Sequence, residues 1–149
     1  MHILGYGPSE IANLADWAVG RICNPFKLER DSGYLTIFDD ATGKGILLIC
    51  MIRICPSEKA GRYLVLSQEK ASRLSKSPSD ISSYQTRDAT ADKWGGAVRA
   101  GSIVISFSGL PELADEAVSV YVARRMGLMD KSQMQKVANI SGNRYIEAF

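Results

Sequence analysis

The sequence predicts an α+β fold, an antiparallel sheet of about five strands flanked by helices in the order α-β-β-α-(β)-β-β-α. Two observations carry that prediction. The β-rich runs at residues 34–38 and 45–52 are separated by Asp39-Asp40-Ala41-Thr42-Gly43-Lys44, a stretch dense in turn formers. They read as a hairpin, and a hairpin forces antiparallel pairing. Further on, Ile103, Ile105 and Phe107 point to one face of a strand while Val104 and Ser106 point to the other, so this run is expected near the sheet centre, covered on both sides.

Pro8-Ser9-Glu10 opens a first helix, and Ile11, Leu14, Ala18, Val19 and Ile22 mark its apolar face up to a break expected at Asn24-Pro25. The run at 45–52 is apolar on both faces and is also expected inside the sheet. Cys55-Pro56-Ser57-Glu58 then starts a second helix with Pro56 as its first residue. Ala60, Tyr63, Leu64, Ser67, Ala71 and Leu74 lie on one face, and Lys59, Arg62, Lys70, Arg73 and Lys76 read as a solvated basic side. Ser77-Pro78-Ser79-Asp80 ends it. Residues 81–87 read as a short edge strand and 88–93 as a surface loop. Gly109 and Pro111 stop the central strand and start a helix, with Glu112, Asp115 and Glu116 at the positive end of its dipole and Gly127 at its stop. Asp130 caps a terminal helix through Val137, and residues 139–149 carry too little pattern to assign.

A chain of 149 residues fits one domain spanning 1–149, able to bury a core without disulfides or metal. A net charge of +2 gives no reason to invoke nucleic acid or an anionic membrane. No apolar run approaches the roughly 20 residues of a membrane span, and the N-terminus lacks the pattern of a signal peptide. Cys23, Cys50 and Cys55 form no framework spacing, which suits a reducing compartment. A cytoplasmic location is therefore expected.

His2 is the sole histidine, which argues against Ser-His-Asp or Cys-His catalysis and a histidine-rich metal site. Zinc would need Cys50 and Cys55 to recruit distant Cys23 and a carboxylate, so no metal is expected. Cys55 stands at a helix start, where a thiolate is favoured and could ligate iron; in the plainer reading it is a small apolar plug. Gly95, Gly96 and Gly109 let a ligand approach the backbone, and Trp94, Tyr84 and Phe107 either wall a flat ligand or serve as core. No Walker or dinucleotide fingerprint is present.

The segments Trp94-Gly95-Gly96-Ala97, residues 105–112 (Ile-Ser-Phe-Ser-Gly-Leu-Pro-Glu) and Asp115-Glu116-Ala117 resemble the GlcG/HbpS-like, or haem-degrading domain, family, most clearly over residues 82–128. The resemblance implies a helix-flanked antiparallel sheet, homo-oligomers, and haem or corrinoid binding in some members. Several relatives carry His immediately before Gly-Gly, where this chain has Trp94, so no role of that histidine transfers. On this basis a haem or tetrapyrrole ligand is expected near Trp94, Gly95, Gly96, Ser108 and Gly109, with Cys55, Met51 or Tyr84 as axial ligand and weak degradation or sensing as the activity. Two alternatives stand beside it. One is a non-enzymatic homo-oligomeric assembly module. The other is an enzyme acting on a small organic acid held by Arg87, Lys93 or Arg99.

Overall fold

A computed structural model describes residues 2–146. Its elements run α1 (Pro8–Phe26), β1 (Gly33–Asp39), β2 (Gly45–Ile52), α2 (Ser57–Ser75), β3 (Ala97–Ala100), β4 (Ile103–Ser108), α3 (Glu112–Arg125) and α4 (Lys131–Ser141). The sheet has four antiparallel strands in the order β2-β1-β4-β3. Among the described residues, no helix is long and apolar enough to cross a membrane.

The α+β class and the antiparallel hairpin hold, and β4 is central with all six residues buried. The fifth strand does not form. Ser82 caps a 3-10 turn at Ser83–Thr86 by accepting from the Tyr84 amide, and the Gln85 side chain accepts from the Ser82 amide. These local bonds compete with ladder pairing, leaving one isolated bridge between Ser82 and Val98.

Strand β2 is also not interior. Helix α2 lies over β1, β4 and β3, while α1 and α3 pack on the opposite face. The side of β2 that shares α2's face is therefore uncovered, and Ile46 and Met51 there are 44% and 45% exposed. Apolarity on both faces of β2 thus marks an edge strand here. Helix α1 passes through Asn24-Pro25 and closes at Lys27, whose φ of 52° breaks the helix instead. Pro56 is the N-cap of α2. Asp130 caps α4 through the Gln133 amide, and α4 continues past Val137 to Ser141 because Val137, Ala138 and Ser141 still face inward. The unassigned tail beyond residue 146 lies outside the described residues.

The two faces of the sheet differ in chemistry. Leu35, Ile37, Ile105 and Phe107 join α1 and α3 in a large apolar core. Beneath α2 the apolar cluster is small, Ala71, Leu74, Ala97 and Val104 with Phe38 against them. The rest of that layer is polar: Thr36 and Ser67 share a 2.8 Å hydroxyl contact, and the buried Ser106 hydroxyl has no partner among the described residues. This seam leads toward the C-terminal end of β4.

Candidate functional site

Tyr63, Leu66 and Lys70 recur at helical spacing and put one face of α2 against the end of β4 and the start of α3. Together with Arg30, Arg62, Trp94, Ser108, Gly109 and the first turn of α3 they line a cavity of about 280 Å³. Its floor is charged. The Lys70 side chain, 1% exposed, donates from Nζ to Asp115 Oδ2 at 2.9 Å and to the Phe107 carbonyl at 3.0 Å. Asp115 Oδ1 accepts from the Leu110 amide at 2.8 Å. Burial pushes the Asp115 carboxyl up from 3.8 to about 6, and the Lys70 ammonium, the Leu110 amide and the charge of Arg30 pull it back.

Gly96 makes room for this pair. Its φ is 138°, and a Cβ there would stand 2.7 Å from Lys70 Nζ and 2.8 Å from the Phe107 carbonyl oxygen. Its own carbonyl accepts from Ser119 Oγ at 2.7 Å. The Gly95-Gly96 pair therefore lets backbone approach a buried ammonium.

The rim is tied by further ion pairs. Glu112 accepts from the Gly95 amide at 2.9 Å and pairs with Arg87 at 2.7 Å. Arg62 holds Asp92 with two bonds of 2.8 and 2.9 Å, and Asp92 also accepts from Trp94 Nε1 at 2.7 Å. Arg73, on α2, reaches the Ser83 carbonyl at 2.8 Å and the Trp94 carbonyl at 2.5 Å, lashing the loop that carries Trp94 to the helix.

Of the residues singled out in the sequence, Trp94, Ser108 and Gly109 line the cavity. Gly96 underlies Lys70, and Gly95 and Arg87 belong to the rim. Arg99 is elsewhere: it pairs with Asp40 and donates to the carbonyls of Leu74, Ser77 and Asp80 at 2.8 to 3.0 Å, clamping the end of α2 to the sheet. Cys55, Met51, Tyr84 and Lys93 do not line the cavity. Cys55 is buried, Met51 is half exposed on β2, and Tyr84 packs against Gly95 with Arg87 over its ring. Phe107 is core.

Lys70 does not belong to a solvated basic face, and Asp115 and Glu116 are not surface complements to a dipole. Glu116 is fully buried, accepts from Asn143 Nδ2 at 2.8 Å, and also accepts from the hydroxyls of Ser82 and Ser141. Burial raises its carboxyl above the usual range. One signal for Lys70 was present: it falls in phase with Tyr63, Ser67 and Leu74 on the buried stripe. Arg30, in the link between α1 and β1, carries no comparable signal.

No protein-family model matches this chain. No curated protein matches it either. The crystal structure of Klebsiella pneumoniae protein ORFY, described as DUF336, superposes with a TM-score of 0.55 over 80% of this chain and 90% of that one, at 12% identity. The fold resembles that of a DUF336 protein. DUF336 is the GlcG-like family, so this likeness agrees with the resemblance carried by the Gly-Gly and Ser-Gly-Leu-Pro segments. At 12% identity it speaks to the fold alone, and the site rests on the geometry above.

Proposed function

We propose that this protein is a small-molecule binding domain whose ligand occupies the cavity between α2 and the start of α3. The observation that carries this reading is the Ser108 hydroxyl. Ser108 is 2% exposed, lies on the α2 face of β4, lines the cavity, and makes no side-chain hydrogen bond among the described residues. Buried polar groups are ordinarily satisfied, so a hydroxyl left open toward a lined cavity is a position for a ligand atom. The volume of about 280 Å³ lies at the small end of ligand sites.

Melting temperatures measured against a library of neutral, cationic and anionic metabolites test it. Wild-type protein is expected to be stabilised by some of them, and Leu66→Trp, which fills the cavity, to lose that response. A library without effect on the wild type, or equal effects on both proteins, rejects the cavity as the site. Haem belongs in the same series, because the family resemblance points to tetrapyrroles. A Soret band that moves when Cys55, Met51 or Tyr84 is replaced would support haem on a face outside this cavity, and a spectrum identical to free haem would remove that reading.

A homo-oligomer is a second reading, favoured by β2. This edge strand has no charged residue, and its exposed Ile46 and Met51 leave an apolar row that unprotected edges rarely carry. A second copy of β2 pairing antiparallel across a two-fold axis would cover it. Sedimentation is expected to show a dimer or larger species that Ile49→Lys dissociates; a monomer at micromolar concentration would count against assembly.

A further inference from the structure

We infer that the ligand of this cavity is a small organic monocarboxylate, its anionic head held by Arg30 and the Ser108 hydroxyl beside the first amides of α3 and its carbon body laid against Tyr63, Leu66 and Trp94. The inference rests on the cavity reading and adds the ligand's charge and chemistry.

The charge follows from the pairing. Arg30, Arg62 and Lys70 face Glu112 and Asp115 around the cavity, one positive charge in excess. Lys70 is consumed by Asp115, Arg62 by Asp92, and Glu112 by Arg87. Arg30 makes no ion pair among the described residues, yet it stands near enough for its charge to act on Asp115. A single open guanidinium matches a monoanion better than a phosphate dianion, and its planar fork suits a carboxylate.

The position of the head group follows from α3. Its N-cap is Pro111, which has no side-chain cap, so the amides of the first turn lack the usual partner. Asp115, which might have capped them, is turned to the Leu110 amide and Lys70 instead. The buried, unpartnered Ser108 hydroxyl lines the same cavity, three residues before Pro111. Arg30, this hydroxyl and the uncapped helix start thus line one cavity, together with the aromatic and aliphatic side chains of Tyr63, Leu66 and Trp94.

Titration of the full chain with benzoate, phenylacetate and propionate, alongside the neutral amide of each and inorganic phosphate, tests the inference by calorimetry. At least one carboxylate is expected to bind, its amide at least tenfold more weakly, and phosphate more weakly than the carboxylate. Arg30→Gln is expected to weaken carboxylate binding roughly tenfold or more, as the loss of a charge-assisted hydrogen bond implies, and Ser108→Ala to weaken it several-fold. Arg30 is exposed, so the variant is expected to fold. Amides binding as tightly as carboxylates, with both lost in Leu66→Trp, would leave the cavity reading standing and overturn the monocarboxylate. Unchanged carboxylate affinity in Arg30→Gln, or phosphate as the preferred anion, would also overturn it. Absence of binding by every probe here and by every compound of the metabolite library would overturn both readings together.

Discussion

Replacing Lys70 with Met is expected to cost about 3–5 kcal/mol of folding stability near neutral pH, the range for a buried pair stripped of one member. The side chain is shortened by a single atom, so the loss is chiefly electrostatic: Asp115, 3% exposed, would remain beneath α2 without its cation. Adding Asp115→Asn should recover most of the loss, because the amide oxygen can still accept from the Leu110 amide and no unpaired charge stays buried. The effect should also depend on pH in a definite direction. Burial raises the Asp115 carboxyl from 3.8 to about 6 in the folded protein. A raised carboxyl favours the fold below its unfolded value and loses that contribution as pH rises through its folded value. Without Lys70 the ionised form is costlier still, so the carboxyl of Lys70→Met takes up its proton at a higher pH than in the wild type, and the deficit should shrink as pH falls toward about 6 and level off below it. Urea denaturation of the wild type, single and double variants across this range decides the matter. A single variant losing less than about 1 kcal/mol near neutral pH would show that the pair behaves as an exposed one.

Gly109→Ala is expected to be at least as damaging, a loss above about 4 kcal/mol, the range reserved for strain or steric conflict in the core. Gly109 has a φ of 149°, and a Cβ there would stand 2.1 Å from the Ser32 carbonyl oxygen and 2.5 Å from the Gly33 Cα. Both obstacles are backbone. Gly33 is equally confined from the other side, its missing Cβ lying 2.2 Å from the Ser108 carbonyl oxygen. The backbones press together where β1 begins and β4 ends, and forcing them apart would pull Ser108 and the start of α3 out of register. Gly61→Ala provides the contrast. Gly61 is exposed within α2 with nothing within 4 Å of an added Cβ, so alanine there should stabilise by about 0.5–1 kcal/mol. Matching urea midpoints for the Gly109 and Gly61 variants would refute this close backbone approach as the cause.

Legibility in the sequence followed the range of the physics involved. The hairpin, the two-sided β4, the corner at Gly109-Leu110-Pro111 and the cap at Asp130 are set by residues within a few positions of one another, and each appears in the structure. Trp94, the glycine pair and Ser108-Gly109 were recognisable as a group because a strand hairpin brings their segments together. The failures also have local causes. Residues 81–87 had strand-like character, but Ser82 and Gln85 satisfy the backbone themselves. Asn24-Pro25 resembles a helix break, but Pro25 falls close enough to the C-terminus for α1 to absorb it.

By itself, the sequence determined the α+β class, the antiparallel hairpin, the interior place of β4 and the glycine corner, because periodicity and turn chemistry act between near neighbours. Only the tertiary structure decided that β2 lies at an edge, that Arg99 clamps the sheet, and that Lys70 is buried. The reason is that helical phase tells which side of α2 Lys70 occupies and nothing about what stands opposite. A lysine is tolerated inside when a carboxylate meets it there, and Asp115, which does, lies 45 positions along the chain.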